Sequence, residues 1–258
     1  LLSGEAIENF DDKEYNFFLK RNGSKEFKLS KDQNKILNEL KNKDNEFRVH
    51  LLQGTTGSGK TIVYFKHIFD ILEKNKQALI LLPEIGLTAE FEKKFKEFFG
   101  FNPSVWHSGI SLKRKKVIWS GLSSGKIKVV IGARSSLFLP FKNMGLIIVD
   151  EEHDQSFKQD EGVIYNARDM AISRAKFENI PINLVTAVPS IETYSNVKKS
   201  KYSGSRLLKR YKDASLPSKE IIDLNLNKHN KNSWISNKTV EKVKEHLIKK
   251  DQILFFIY

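Results

Sequence analysis

Short apolar runs recur along the chain, and stretches with helical spacing separate them. These runs lie at Arg48–Leu52, Ala78–Leu82, Lys128–Ile131, Leu146–Val149 and Ile182–Val185. Strand-like runs that alternate with helix-like stretches are typical of a parallel sheet wrapped by helices. The pattern therefore predicts an α/β fold with a central, mostly parallel sheet flanked by helices.

One of the intervening stretches, Glu90–Phe99, carries phenylalanines at helical intervals. They are Phe91, Phe95, Phe98 and Phe99. Such a stripe is more often the buried face of a helix than an aromatic ligand box, so we expect these rings to pack in the core.

Changes in pattern along the chain predict three segments. Residues 1–27 are polar and irregular, as in a linker or the tail of a preceding DNA-binding module, and residues 28–197 hold the alternating core. Residues 198–258 are predicted to be a basic connector and the start of a second, truncated lobe. The second lobe is predicted because Thr239–Lys250 has the spacing of an amphipathic helix and Ile253–Ile257 resembles a strand.

The basic connector lies within Ser195–Ser218, where Asp213 is the one counter-charge among many cations. The cations are Lys198, Lys199, Lys201, Arg206, Lys209, Arg210 and Lys212. A run of this kind is usually a solvated face, but it can also contact a phosphate backbone. Both interpretations are open.

The chain as a whole is basic, with 44 Lys and Arg against 31 Asp and Glu and a formal net charge of +13 at pH 7. This excess favours a polyanionic partner, although a lysine-rich proteome gives the same composition. The chain has no cysteine, so it holds neither a disulfide nor a thiolate zinc site. Its apolar runs are too short to span a bilayer, so we expect a cytoplasmic protein with no membrane partner. It begins without methionine and stops inside a predicted strand, and we therefore expect a fragment.

The segment GTTGSGKT lies between a predicted strand and a helix-like stretch. Its glycines let the backbone adopt positive φ and approach an anion, while successive amides and a helix N-terminus point at phosphates. Lys60 is expected to reach the β and γ phosphates, and Thr61 to hold magnesium through its hydroxyl. The flanking strand and helix favour a nucleotide site over a glycine-rich linker. The predicted site consists of Gly54, Thr55, Thr56, Gly57, Ser58, Gly59, Lys60 and Thr61.

A second part of the same site is predicted at LIIVDEEH, Leu146–His153. The apolar run brings Asp150 to the carboxyl edge of the sheet, where open α/β sheets bind ligands. Asp150 is expected to coordinate magnesium through water, and Glu151 to orient and deprotonate the attacking water. Carboxylates here could instead complement a helix dipole, but their pairing with GTTGSGKT favours the catalytic interpretation.

Gln33 and His153 are further candidates. Gln33 precedes the glycine loop by about twenty residues, a reasonable reach for an amide that reads adenine. Ser30 and Gln33 fit a helix-capping box equally well. His153 has no recognisable zinc-ligand spacing and is better placed to relay between sites.

Several motifs together resemble the PriA family of bacterial replication-restart helicases, in superfamily two. They are GTTGSGKT, LLPEIGLT, HSGIS, GARSSLFLPF, DEEHDQSFKQDEGVIYNARDMA and TAVPSIET, and the match runs from about Phe27 to the end of the chain. Many NTPases share the glycine loop, whereas LLPEIGLT and the DEEH segment with its EG and ARD are more discriminating.

The resemblance implies a RecA-like P-loop domain, the beginning of a second motor lobe, and an ATP-driven motor moving 3′ to 5′ on single-stranded DNA at stalled forks. It implies that Gln33 reads adenine and that Lys60 and Thr61 bind phosphates and magnesium. Asp150 would bind the metal, and Glu151 would be the catalytic base.

The same resemblance implies a DNA track along LLPEIGLT, HSGIS and GARSS, in which the contacting residues are Thr88, His107, Arg134 and Ser135. Asp154–Arg168, with Phe157 and Tyr165, resembles the aromatic-rich loop that couples DNA binding to hydrolysis, and we take Arg168 as its functional member. His153 and Thr186 are implied to couple the two sites.

Val188 departs from the family pattern, since similar helicases carry a hydroxyl residue after Thr186 and Ala187. Valine keeps the shape but loses a donor, so we expect the packing to survive and the coupling hydrogen bond to be lost. The partners implied are single-stranded and forked DNA, primosome proteins and single-strand-binding proteins. The family's zinc module and second-lobe arginines would lie beyond Tyr258, so the isolated chain is expected to hydrolyse ATP slowly.

Two other functions are open. A restriction or recombination translocase of superfamily two shares both nucleotide motifs but should lack LLPEIGLT and the ARD loop. A non-catalytic module that binds nucleotide and DNA is also consistent with a chain that lacks a second lobe.

Overall fold

The computed structural model describes residues 27–42, 45–210, 219–224 and 235–255. The chain divides into two compact units, Leu1–Ala214 and Ser215–Tyr258. Residues 1–26 of the predicted linker at residues 1–27 lie outside the described residues, as do Lys212 and Asp213 of the basic connector.

Seven strands form the central sheet of the first unit. They are β1 Arg48–Gly54, β2 Gln77–Leu81, β3 Ser104–Trp106, β4 Val129–Gly132, β5 Met144–Asp150, β8 Pro181–Thr186 and β9 Ser203–Leu207. The spatial order is β3-β4-β2-β5-β8-β1-β9, and every pairing is parallel. A separate antiparallel hairpin joins β6 Lys158–Gln159 to β7 Tyr165–Asn166. The predicted parallel sheet is therefore confirmed.

Helices cover both faces of this sheet. They are α1 Lys31–Lys41, α2 Lys60–Glu73, α3 Ala89–Phe99, α4 Leu112–Ser124, α5 Ala167–Phe177 and α6 Ile191–Lys198, and the second unit contains α7 Asn237–Ile248. Three short 3₁₀ turns lie at Glu84–Gly86, Arg134–Phe138 and Gln155–Phe157. No helix of the described residues is long and apolar enough to cross a membrane.

The core consists of two apolar clusters, one on each face of the sheet. In β5, Leu146 and Ile148 belong to the cluster under α1, α2 and α3, while Ile147 and Val149 belong to the cluster under α4 and α5. Alternate side chains of a strand point to opposite faces, so a strand apolar throughout is buried on both sides. This is why the five apolar runs could be recognised as strands.

The phenylalanine stripe of α3 packs in the core, as predicted. Phe95, Phe98 and Phe99 are buried, and Phe91 is partly buried against the same cluster. Phe65 of α2 lies among them, with ring centroids 5.3 Å from those of both Phe98 and Phe99. Edge and tilted contacts of this kind contribute about 0.5–1.5 kcal/mol each beyond area burial, so they fix α3 against α2.

Strand β9 lies inside the basic connector, where we predicted a solvated or DNA-contacting segment and no strand. It pairs with β1 at the edge of the sheet, with Ser205 and Leu207 buried and Arg206 exposed. Its sequence, SGSRL, has none of the β-branched residues that mark a strand, so its pairing with β1 decides its structure.

The second unit contains the predicted amphipathic helix as α7, which Ser236 caps by accepting from the amide of Thr239. Glu220 forms ion pairs with Lys238 and Lys242. The strand predicted at Ile253–Ile257 is wrong for the described part, since residues 253–255 form no strand. An apolar run becomes a strand when a partner strand pairs with it, and no such pairing occurs at these described residues.

Candidate functional site

The glycine loop Gly54–Thr61 leads from the end of β1 directly into α2. Gly57 and Gly59 have φ of +80° and +84°, in the left-handed region that favours glycine. Gly59 is the N-cap of α2, and no side chain of the described structure caps this helix. The first amides of α2 therefore stay available to an anion, as the sequence predicted.

Two polar groups of the loop, the amine of Lys60 and the hydroxyl of Ser58, are buried. The Nζ atom of Lys60 donates to the carbonyl oxygen of Gly54 at 2.7 Å. The hydroxyl of Ser58 is buried and has no hydrogen-bond partner among the described residues. An unsatisfied buried hydroxyl costs about 1–3 kcal/mol, and a phosphate oxygen would give it a partner.

Asp150 ends β5 at the carboxyl edge of the sheet, and both of its carboxylate oxygens are engaged. Oδ2 accepts from the hydroxyl of Tyr64 at 2.8 Å, and Oδ1 accepts from the amide of Glu151 at 3.0 Å. Burial raises the pKa of Asp150 to about 6, with the hydrogen bond from Tyr64 acting against the rise and the charge of Glu151 adding to it. The nearby charge of Lys60 also lowers this pKa.

Both predicted halves of the site line one cavity of about 460 Å³. The other residues that line the cavity are mostly apolar, and they are Phe27, Ile62, Phe65, Lys94, Glu97 and Phe98. Volumes of 300 to 1,000 Å³, largely apolar with a few convergent polar groups, are typical of small-molecule sites. The geometry thus brings Lys60 and Asp150 to a single cleft.

The residues present fit a nucleotide with magnesium. Thr61 and Asp150 offer the oxygen ligands that magnesium prefers. No group of three or more His, Cys, Asp or Glu in the described residues is placed to hold a metal alone. A cation here would therefore take its remaining ligands from phosphate oxygens and water, as magnesium does in NTPase sites.

Glu151 has an unusual backbone conformation, with φ of +49°. A residue other than glycine in the left-handed region costs on the order of 1–3 kcal/mol and is often found at functional sites. The turn is held by hydrogen bonds from the amide of Asp154 to the Glu151 carbonyl and from the amide of Glu152 to the Val185 carbonyl. Glu151 lines the cavity, whereas Glu152 is 1% exposed.

The two predicted coupling residues lie in contact. His153 Nδ1 is 2.8 Å from the hydroxyl of Thr186 and 3.7 Å from a carboxylate oxygen of Glu151. The same hydroxyl bonds the backbone of Val188, with its amide at 3.2 Å and its carbonyl at 3.0 Å. The side chain of Val188 is 67% exposed, and its backbone accounts for these contacts.

The four predicted DNA-contacting residues follow neighbouring parallel strands at the same edge of the sheet. Thr88 and Ser135 are exposed, while His107 and Arg134 are half-buried. Thr88 caps α3 by accepting from the amide of Phe91 at 3.2 Å. The structure therefore groups these side chains, and their contact with DNA stays a prediction.

Arg134 also connects this edge to the hairpin of the predicted aromatic-rich loop. Its Nη1 donates to the carbonyl oxygen of Lys158 at 2.8 Å. Phe157 of the same loop is buried in the core, while Tyr165 is half-buried with its ring 5.6 Å from that of Phe138.

Arg168 is buried in a network that the sequence did not predict. Its Nη1 lies 3.2 Å from a carboxylate oxygen of Glu152 and 2.7 Å from the hydroxyl of Ser190, and its Nε lies 2.8 Å from Asp169. Glu152 also accepts from the Ser190 amide at 2.8 Å and from the Thr193 hydroxyl at 3.0 Å. The guanidinium is thus held inside the protein, and its contact with DNA stays a prediction.

Gln33 is hydrogen-bonded to the backbone of the glycine loop. Its Oε1 accepts from the amide of Ser30 at 2.9 Å, completing a capping box, and its Nε2 donates to the Ser58 carbonyl at 3.1 Å. The side chain is 4% exposed. The capping role is therefore present, and adenine contact stays a prediction.

Sequence reasoning missed two residues of the site, Tyr64 and Glu152. Tyr64 lies three positions after Thr61, and helical periodicity, which puts residues three apart on one face of a helix, is the signal by which it could have been found. Glu152 is the second glutamate of DEEH, and the turn that directs it inward depends on a positive φ that no local pattern indicated.

Comparison with known proteins agrees with this geometry. The family model described as DEAD/DEAH box helicase matches residues 30–197. The chain belongs to the DEAD/DEAH box helicase family. A DEAD/DEAH box helicase lobe accounts for the parallel sheet, the glycine loop and the DEEH turn at its edge.

Among curated proteins, this DEAD/DEAH box helicase is similar to Replication restart protein PriA of Rickettsia conorii, with 52% identity over 207 residues, 80% of this chain and 32% of that protein. It is 38% identical to Replication restart protein PriA of Bacillus subtilis over 213 residues, 82% of this chain and 26% of that protein. The resemblance to the PriA family is confirmed. The chain spans at most about a third of the length of these relatives.

A solved structure, DUF1998 helicase MrfA bound to DNA, superposes with a TM-score of 0.52 at 16% identity, covering 75% of this chain and 27% of that chain. This likeness concerns the fold alone. Together with the family match, it confirms the RecA-like α/β fold.

Proposed function

We propose that this chain is the ATP-binding lobe of a DNA helicase that moves 3′ to 5′ and acts in replication restart in the cytoplasm. The observation that carries the proposal is the single cleft shared by the glycine loop Gly54–Thr61 and the Asp150–Glu151 turn. The similarity to proteins named Replication restart protein PriA supports the replication-restart role, which we propose for the whole protein that contains this lobe.

In the proposed nucleotide site, Lys60 exchanges its bond to the Gly54 carbonyl for the β and γ phosphates. Thr61 and Asp150 would hold magnesium, which would supply positive charge to the phosphates. The amides at the start of α2 and the unpaired Ser58 hydroxyl donate to the remaining oxygens. Together these groups bind and orient the triphosphate.

In the proposed hydrolysis step, Glu151 orients a water molecule and accepts its proton as the water attacks the γ phosphorus. The bond from the γ phosphorus to the β–γ bridging oxygen breaks, so that ADP and inorganic phosphate leave. The hydrogen bond from the Glu151 amide to Oδ1 of Asp150 orients the Asp150 carboxylate beside this base. His153 lies between Glu151 and Thr186, so it connects the base to the segment after β8.

In the proposed DNA track, contacts come from the edge that carries Thr88, His107, Arg134 and Ser135. Small polar and basic groups on loops suit the phosphate backbone and give little sequence preference. We also propose single-stranded and forked DNA as partners, and primosome and single-strand-binding proteins as further partners of the whole protein.

The test is ATP hydrolysis by the whole protein, of which this chain is the proposed ATP-binding lobe, with and without single-stranded DNA, followed by unwinding of forks that carry a 3′ or a 5′ single-stranded arm. We expect DNA to stimulate hydrolysis and the polarity of unwinding to be 3′ to 5′. DNA affinity should fall steeply as salt rises, because phosphate contacts release counterions. Nucleotide binding without DNA stimulation or unwinding would indicate a non-catalytic module, and stimulation only by duplex DNA would indicate another translocase; either result refutes the proposal.

A further inference from the structure

The hydroxyl of Tyr64 lies between the two side chains proposed to hold magnesium. It donates to Oδ2 of Asp150 at 2.8 Å, and the side chain of Thr61 also hydrogen-bonds with it. Thr61 and Tyr64 are three residues apart on α2, so they share a face of the helix. One buried phenol therefore joins the first turn of α2 to the end of β5.

We propose that Tyr64 is a positioning residue that orients Thr61 and Asp150 for the magnesium ion of the bound nucleotide. This inference rests on the proposed function, because it concerns the same cation. Tyr64 does not line the cavity, so it acts through its two neighbours and not by direct contact with the ligand.

The hydrogen bonds around Asp150 fix the rotation of its carboxylate. Oδ1 is held by the amide of Glu151 and Oδ2 by Tyr64, so the plane of the carboxylate is set from two directions. Each oxygen keeps a further lone pair for a metal-bound water. Without the phenol, one of the two restraints is lost and the carboxylate can turn away from the cleft.

The same phenol also constrains Thr61. A threonine hydroxyl has one proton and two acceptor lone pairs. When the proton is donated to the oxygen of Tyr64, the lone pairs stay free to face a cation. Residues that hydrogen-bond to the ligands of a metal ion orient those ligands in this way, and their loss typically lowers metal affinity by about 10- to 100-fold.

A purely structural role for Tyr64 predicts a different outcome. The ring is fully buried and makes an edge contact with Phe65 at 5.2 Å between centroids. Phenylalanine keeps this packing and removes the hydroxyl alone. Tyr64→Phe therefore separates the effect on the cation from the effect on the core.

The experiment titrates magnesium into the protein with a fluorescent ADP analogue and measures binding by anisotropy. We expect Tyr64→Phe to bind the analogue without magnesium as the wild type does, within about twofold. The magnesium concentration at half-maximal enhancement should rise about 10- to 100-fold. Titrations are run at a temperature where circular dichroism shows the variant to be fully folded.

Tyr202→Phe is the matched control, because Tyr202 packs against the opposite core cluster and does not line the cleft. It should leave the magnesium dependence unchanged. In an Asp150→Asn background, the effect of Tyr64→Phe should be smaller, since the part that acts through the hydrogen bond to the Asp150 carboxylate is then already lost.

The failures of the two proposals can be distinguished. If the wild type shows no magnesium-dependent binding of the analogue, the proposed nucleotide site is wrong. If the wild type shows it and Tyr64→Phe has the same magnesium midpoint, the positioning role is overturned. An equal rise in Tyr202→Phe would also overturn it, because a general loosening of the fold would then explain both.

Discussion

The buried histidine of β1 gives the chain a defined sensitivity to acid. His50 is 2% exposed, and its two ring nitrogens lie 2.8 Å and 2.9 Å from the hydroxyls of Ser203 and Ser205 on β9. Burial, together with the charges of Arg48 and His67, lowers the pKa of His50 from 6.5 to about 3. Glu39 of α1 accepts a hydrogen bond from the hydroxyl of Ser205.

The direction in which stability changes with pH follows from the pKa values of His50 in the folded and unfolded states. The folded value of about 3 lies below the unfolded value of 6.5, so the unfolded chain binds a proton that the folded chain does not. Stability is therefore fully present above about pH 6.5 and falls below it by about 1.4 kcal/mol per pH unit. Acidification from pH 6.5 to pH 5 should cost about 2 kcal/mol through His50 alone.

The assay is urea unfolding of the wild type and of His50→Gln at pH 7.5 and pH 5. Glutamine cannot take up the proton, so the wild type should lose about 2 kcal/mol more than the variant between these two pH values. His107→Gln, which removes a half-exposed histidine, is the control. If the wild type and His50→Gln lose the same free energy of unfolding, the buried neutral histidine is not what makes the fold acid-sensitive.

Two further substitutions test the site. Lys60→Ala should abolish magnesium-dependent nucleotide binding and change affinity for single-stranded DNA by less than about threefold, because the lysine acts on phosphates of the nucleotide. Fluorescence titrations measure both affinities, with the exposed Lys93→Ala as control, and an equal collapse of DNA affinity would contradict the assignment. Arg168→Ala should lower the free energy of unfolding by about 3–5 kcal/mol, because it leaves Glu152 buried without its counter-charge. Unchanged urea unfolding would show that the Arg168–Glu152 ion pair does not stabilise the fold.

The sheet could be predicted from the sequence because its central strands are apolar on both faces. Runs such as Leu146–Val149 are continuous, and the structure buries every residue of β5. The glycine loop and the DEEH turn could be predicted for a related reason. Each follows such a strand directly, so the parallel sheet brings both to one edge.

Strand β9 and the partners of Asp150 could not be predicted in this way. The burial of Ser205 and Leu207 depends on pairing with β1, far away in the sequence. The bond from Tyr64 to Asp150 spans 86 positions, and nothing local in either segment indicates it. Contacts of this kind are set by how the elements pack.

Four consecutive residues, beginning with the last residue of β5, have side chains in four different surroundings. Asp150 bonds Tyr64 on α2, Glu151 faces the cleft, Glu152 binds the starts of α5 and α6, and His153 bonds Thr186 at the end of β8. Glu151 lies in this turn in a left-handed backbone conformation. A displacement of α5 or α6 therefore has to break the hydrogen bonds of Glu152 or move the backbone of the turn that carries Glu151 with them.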